Sequence, residues 1–294
     1  MFFPGGESTK RFEHVEDMAE RMVNLSADRS SVVIALGGGI VGDMGGFLAA
    51  IFMRGIPVIQ IPTTLLAQVD AAIGGKTGVN LRSGKNLLGA FHQPLAVLID
   101  PEVLRSLPQR EYRAGLFEVI KCGVIASAEL FDVFRHRSAD VLSQKPEVVD
   151  YLIAESVRIK AEVVTADEKE SDLRRILNFG HTVGHALEAE TRYQRFLHGE
   201  AVAFGMNAAT YLATYASLLP EKERDVILKT IELYGPIPSL DGVTVESLFG
   251  RLTSDKKTVQ GNVHFVLPEA IGRVRVVAGI DSEKVRSAIQ AALA

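Results

Sequence analysis

SVVIALGGGIVG, residues 31–42, is the stretch whose reading decides the fold. Its first half, SVVIAL, is a continuous apolar run of strand length, the pattern of a buried parallel strand. Gly37-Gly38-Gly39 ends the run, and residues from Ile40 to about Met53 read as a helix. A second run, PVIQI at 57–61, ends in Pro62-Thr63-Thr64 and completes a βαβ unit. A third, LAVLI at 95–99, ends in Asp100-Pro101. Strand, glycine turn, helix, strand is the start of a Rossmann-like parallel sheet. Only 30 residues precede Ser31, whereas a full doubly wound sheet usually carries about two further βα units there, roughly 60 residues. The sheet is therefore expected to be partial and N-terminally short.

Beyond Pro108 the periodicity becomes helical. Helices are expected at 109–124, 128–137, 146–169, 178–191, 200–217, 221–234, 245–252 and 282–293, with short strands near 263–267 and 273–277. The pattern predicts an α/β domain over residues 1–107 and a mostly α-helical domain over 108–294. Residues 201–220 carry no charge and approach the length of a membrane span. Asn207, Thr210, Thr214 and Ser217 interrupt them, so a helix buried in a bundle is expected instead.

Composition narrows the function. Of 294 residues 47% are apolar and 23% charged, with a formal charge of −4. Packed cores are affordable at that length, and no basic excess draws the chain to nucleic acid or anionic lipid. The single cysteine, Cys122, makes no internal disulfide, which suits a reducing compartment, most simply the cytoplasm.

Gly37 to Gly42 fit G-x-G-x-x-G between a strand and a helix, a place where backbone N–H groups and a helix N-terminus favour a pyrophosphate. The acidic residue expected at the end of the next strand is missing, and Asp43, just past the turn, is the nearest acid. A tight turn without ligand remains open on this motif alone. Gly75-Lys76-Thr77 resembles the end of a phosphate loop, but the required earlier glycine is Asp70. Lys76 and Lys85 are expected on two glycine-flanked loops, either solvated or placed to meet phosphate or carboxylate.

In the helical half, charge falls where apolar residues belong. Glu118 and Lys121 share one face of an almost wholly apolar helix, as an internal ion pair or part of a metal site. Lys160 interrupts an apolar stripe, to snorkel or to point into a site. NFGHTVGH at 178–185 places His181 and His185 at i and i+4, with Glu188 following and Asn178 a suitable N-cap. His198 opens the next helix. Glu118, His181, His185, His198 and Glu188 are all candidate ligands for a divalent metal, and spacing does not choose among them.

Together, GGGIVGDMGGFLAA at 37–50, MRGIPVIQIPTTLLAQVDAAIGGKTGVN at 53–80, GKNLLGAFHQP at 84–94, AGLFEVIKCG at 114–123, RRILNFGHTVGHALE at 174–188, HGEAVAFGM at 198–206 and SDKK at 254–257 resemble the 3-dehydroquinate synthases of the sugar-phosphate cyclase superfamily. PGGESTK at 4–10 resembles a segment that follows two initial βα units in that family, so the chain is expected to lack them. The resemblance implies an α/β nucleotide-binding domain followed by an α-helical metal-binding domain. It implies a Zn2+ site, open to other ions such as Co2+, on Glu118, His181 and His198. It implies NAD+ contacts at Glu7, Lys10, Gly38, Gly39, Asp43, Thr63, Thr64, Lys76, Lys85 and Ser106. Substrate contacts are implied at Arg54, Asp70, Lys76, Lys85, Asn86, Lys121, Lys160, Arg174, Asn178, His185 and Lys256, with Arg54 reaching across a homodimer interface. His185, Asn178, Lys121 and Lys76 carry the catalytic roles. On the same analogy Glu188 supports the ligands or the fold. The implied substrate is a phosphorylated seven-carbon sugar acid, which undergoes transient NAD-dependent oxidation, phosphate elimination, re-reduction and aldol closure. Another sugar-phosphate cyclase, a metal- and NAD-dependent alcohol dehydrogenase and a non-catalytic ligand-binding remnant are the rival readings.

Overall fold

The computed structural model describes residues 1–3, 5–169, 173–254 and 263–294. The chain divides into two compact units, Met1–Pro108 and Gln109–Ala294. The expected Lys256 contact lies outside the described residues.

The first unit begins with helix α1 (Phe12–Asn24), followed by β1 (Val33–Gly37), α2 (Gly39–Ile51) and β2 (Val58–Pro62). The hairpin β3 (Lys76–Leu81) and β4 (Gly84–Phe91) comes next, then the short β5 (Ala96–Val97). β1, β2 and β5 form a parallel sheet in that order, with Val33 opposite Val58 and Ile59 opposite Ala96. α2 is the crossover. Its Met44, Phe47 and Leu48 pack with Val15 and Met22 of α1, Ala35, Val58 and Val79 into one apolar core. A Phe or Leu buried this way contributes about 2–3 kcal/mol.

Two expectations need correction here. β1 is not buried on both faces: Ala35 points into the core while Ile34 and Leu36 are 61% and 63% exposed. Strand side chains alternate, and α2 covers only the Ala35 face. Lys76 and Lys85 do not sit on loops but on strands of the antiparallel hairpin, where Lys76 pairs with Phe91 and Gly78 with Gly89.

The second unit runs through α3 (Gln109–Ala126), α4 (Ala128–His136), α5 (Ser138–Leu142), α6 (Pro146–Ala166), α7 (His181–Glu190), α8 (His198–Tyr215), α9 (Glu221–Leu233) and α10 (Val245–Ser254). A hairpin of β6 (His264–Ala270) and β7 (Arg273–Ala278) precedes the last helix, α11 (Ser282–Leu293). α3 is central. Residues 114–125 are buried without a break, as befits a helix that is apolar on all sides, and α4, α6, α8 and the β6–β7 hairpin pack around it. α8 packs on α7, α9 and α11. Among the described residues no helix is long and apolar enough to cross a membrane, and residues 201–213 of α8 are almost all buried.

Candidate functional site

The second unit gathers a carboxylate and three imidazoles. Glu118, midway along α3, is 1% exposed, and its Oε1 lies 3.8 Å from Nε2 of His181 and 3.8 Å from Nε2 of His198. These are too long for hydrogen bonds, and neither oxygen of Glu118 receives an aligned one. A tetrahedral ion with bonds of ~2.1 Å holds its ligand atoms about 3.4 Å apart. Both carboxylate–imidazole distances stand close to that spacing, all three atoms lie within 4.8 Å of one another, and a buried carboxylate with two imidazoles suits a divalent ion such as zinc. Lys121, one turn along α3 and 2% exposed, sets its ammonium 2.5 Å from Glu118 Oε2. The ion pair weighed in the sequence is present, and it leaves the other oxygen turned to the histidines: Oε2 faces the lysine and Oε1 the imidazoles.

His185 joins the cluster from α7. Its ring centroid is 5.3 Å from that of His181 and 5.9 Å from that of His198. A second group of metal-capable atoms, on His185, Glu188 and His198, overlaps the first. The outer nitrogens also have neighbours: His181 Nδ1 is 3.1 Å from the Phe179 carbonyl oxygen, and His198 Nδ1 is 3.4 Å from Glu188 Oε1.

Close helix packing makes this convergence possible. A Cβ on Gly199 would stand 1.9 Å from the carbonyl oxygen of Ala114, and one on Gly205 would stand 1.8 Å from that of Gly180. Only glycine lets α8 approach α3 and the start of α7 so closely, which brings His198 to Glu118 and His181. A clamp reinforces the first approach. Arg110, at the start of α3, donates from Nε and Nη2 to the two oxygens of Glu200 at 2.7 and 2.8 Å, and Glu200 accepts the backbone N–H of Leu197 at 2.8 Å. Reading the sequence missed Arg110 and Glu200. The visible signal was a glutamate two residues after His198, in the first turn of its helix.

Asn178 is not the N-cap of α7. It ends a 3-10 turn, Leu173–Asn178, and Gly180 takes the cap position with φ 79°. Lys160 does not snorkel: it is buried on α6, which packs against α3. Arg174 is buried in the 3-10 turn, which also packs on α3 and α6. Its guanidinium donates to the Glu168 carbonyl at 2.6 Å, and its backbone N–H donates to Asp167 Oδ2.

In the first unit a second polar cluster forms. Lys10 donates to Asp43 Oδ2 and to Asn86 Oδ1, both at 2.5 Å. Asn80 donates to Glu7 Oε1 at 2.7 Å and accepts the backbone N–H of Asn86 at 2.9 Å. Lys85 Nζ is 3.7 Å from Glu7 Oε1. Thus Glu7, Lys10, Asp43, Lys85 and Asn86, far apart in the chain, meet around Asn80, which sequence reasoning passed over inside TGVN. Burial holds the Asp43 carboxyl above its ordinary value of 3.8, and the ammonium of Lys10 offsets only part of that cost. Gly38 is the N-cap of α2 and, being glycine, supplies no side-chain cap. The backbone N–H of Thr63 donates to the Gly37 carbonyl, and Thr64 Oγ1 accepts the N–H of Ala67. The uncapped turn therefore lies at the carboxyl ends of β1 and β2, the edge where parallel sheets bind ligands. Asp70 lies in a π-helical turn, Ala67–Ala71. Arg54 and Ser106 are exposed, and the Ser106 hydroxyl donates to the Val103 carbonyl.

Solved sugar-phosphate cyclases share this fold. ValA, a 2-epi-5-epi-valiolone synthase from Streptomyces hygroscopicus subsp. jinggangensis 5008 solved with NAD+ and Zn2+, has 33% identity and a TM-score of 0.91, over 99% of this chain and 81% of that one. A 2-deoxy-scyllo-inosose synthase complexed with carbaglucose-6-phosphate, NAD+ and Co2+ has 28% identity and a TM-score of 0.88, over 99% and 81%. Residues 1–114 match the family described as 3-dehydroquinate synthase N-terminal, and residues 115–258 match 3-dehydroquinate synthase C-terminal. The 3-dehydroquinate synthase of Solibacter usitatus (strain Ellin6076) is 67% identical over 99% of this chain and 82% of its own length. The chain belongs to the 3-dehydroquinate synthase family, and it is an enzyme of the phosphate-eliminating lyase kind.

Proposed function

We propose that this chain makes 3-dehydroquinate and phosphate from 3-deoxy-D-arabino-heptulosonate 7-phosphate, with Glu118, His181 and His198 holding Zn2+ and the first unit holding NAD+. The observation that carries the reading is the buried Glu118 Oε1, without a hydrogen bond and facing two imidazole nitrogens at 3.8 Å each. When bound, NAD+ accepts and later returns a hydride, and the divalent ion polarises the reacting oxygen.

The chain's own residues do the rest. The uncapped start of α2 at Gly38 and Gly39 offers backbone N–H groups to the cofactor's pyrophosphate. Glu7, Lys10 and Asp43, with Thr63, Thr64 and Ser106, orient the cofactor. Lys121, Lys160 and Arg174 are buried cations on α3 and on elements packed against it, suited to a substrate bearing a phosphate and a carboxylate. Lys76, Lys85, Asn86, Asp70, Arg54 and Lys256 complete the substrate's contacts. His185, beside both histidine ligands, takes up and returns the alcohol proton, with Asn178 as its partner. Fixing the groups within each unit holds cofactor and substrate in position for the chemistry. A cytoplasmic homodimer, in which Arg54 serves the neighbouring site, belongs to the same reading, and the lone buried Cys122 suits a reducing compartment.

The test is phosphate release. Purified chain with Zn2+, NAD+ and the heptulosonate phosphate is expected to release phosphate with no net NADH. Accumulating NADH, or substrate left intact by correctly folded chain, would overturn the proposal.

A further inference from the structure

We infer that Glu188 is a positioning residue for the metal: its carboxylate accepts the Nδ1 proton of His198 and so fixes that imidazole with Nε2 turned to the ion. The inference rests on the metal reading above.

His198 belongs to two overlapping groups of metal-capable residues, one with Glu118 and His181, the other with His185 and Glu188. Its two ring nitrogens face opposite ways. Nε2 looks to Glu118 Oε1 at 3.8 Å, and Nδ1 looks to Glu188 Oε1 at 3.4 Å. A neutral imidazole carries one proton, so one nitrogen donates while the other can coordinate. If Nδ1 donates to Glu188, Nε2 carries the lone pair that can coordinate an ion, and the group containing Glu188 is not a second metal site.

Two further observations favour the proton on Nδ1. The Glu188 side chain is only 4% exposed, and a carboxylate stripped of water needs a donor. His181 shows the same arrangement, with Nδ1 3.1 Å from the Phe179 carbonyl and Nε2 facing Glu118, so both histidines present the same nitrogen to the same oxygen. Glu188 is also held on α7, one turn beyond His185, with its backbone carbonyl accepting the Tyr193 N–H at 2.7 Å. The Glu188 contact is long for a hydrogen bond, just as the three donor atoms stand slightly wider than an ion holds them, so the cluster is loose as a whole.

The two histidines therefore differ. His181 is oriented by a neutral carbonyl and His198 by a carboxylate, which raises the basicity of the ring it orients. Metal affinity depends on the charge of Glu188 through His198.

The experiment compares wild type, Glu188→Gln and Glu188→Ala by chelator-competition titration with Zn2+ and Co2+. Expected is a loss of affinity of about 10–100-fold for Glu188→Ala, with partial recovery in Glu188→Gln, and an altered Co2+ absorption spectrum. In metal-free protein, the 15N shifts of His198 are expected to report the Nδ1–H tautomer in wild type and a mixture in Glu188→Ala. That readout does not depend on loading, and a residue that only supported the fold would not move it. Affinity within twofold of wild type in both variants, or an unchanged tautomer, would overturn the inference while leaving the metal site intact. A wild-type chain that binds neither ion overturns the metal reading and this inference together. Should Glu188→Ala not fold, Glu188→Gln decides: it must weaken binding and shift the tautomer, or the inference fails.

Discussion

Replacing Glu118 by Gln keeps the side chain's size and removes its charge. Two consequences are expected. Metal retention, read by elemental analysis after gel filtration, falls to background, as it does for His198→Ala. The chain also loses about 3 kcal/mol in urea denaturation, because the ammonium of Lys121, 2.5 Å away and 2% exposed, no longer faces an anion. Retention of a full equivalent of zinc by Glu118→Gln would count against the ligand assignment. Asp43 gives a pH prediction. Burial raises its folded value above 3.8, so the folded state binds the proton more tightly than the unfolded state. Its contribution to stability is fully present below 3.8 and is lost as pH rises through the folded value. Asp43→Asn, which does not titrate, is expected to flatten that limb of a stability–pH curve, and an unchanged slope would contradict the assignment. These residues were readable in the sequence because charge stood out against an apolar background. Spacing left five candidate ligands, since a helical repeat shows which residues share a face but not which ring nitrogen faces which oxygen. Arg110, Glu200 and Asn80 were missed because Arg110 and Glu200 pair across 90 residues and Asn80 meets Glu7 across 73, separations that spacing does not link.

At the scale of the element, Gly199 offers the sharpest test. An added methyl would fall 1.9 Å from the Ala114 carbonyl oxygen, and backbone on both sides leaves little room to yield. Gly199→Ala is therefore expected to push the start of α8 off α3 and abolish metal retention, with an altered near-ultraviolet spectrum but helical content largely kept. Gly250 in α10 is the control, because nothing lies within 4 Å of its would-be Cβ. Gly250→Ala should stabilise the chain by up to ~1 kcal/mol through helix propensity alone. A Gly199→Ala variant that keeps its zinc would mean the helices do not need this approach. Most helices were legible from periodicity, with ends off by a few residues, and the βαβ start was legible from its apolar runs and glycine turn. The hairpin of β3 and β4 was not, because GGKTG and SGKN carry turn-like glycines inside strands. There the glycines serve the pairing: Gly78 and Gly89 face each other across the ladder, where side chains would collide. α1 was also passed over, although Val15, Met18 and Met22 recur at helical spacing and pack into the core.

Across the whole molecule, the family assignment and the two units account for what composition alone left open. Metal binding is expected to show where it acts. On adding Zn2+ at about 100 times its dissociation constant, amides of α3, α7 and α8 near the histidines should exchange up to about 100-fold more slowly. Those of β1 to β5 should be far less affected, and uniform slowing in both units would argue against a site confined to the second. One feature of that site bears on substrate binding. Around the histidines stand two buried carboxylates, Glu118 and Glu188, with the ammonium of Lys121 set against the first. A dication placed among them would add two positive charges to ground that the carboxylates otherwise hold partly negative. A phosphorylated acid should therefore meet a more favourable field after the ion is in place. Binding of the heptulosonate phosphate, followed by calorimetry, is expected to tighten once the metal has been supplied.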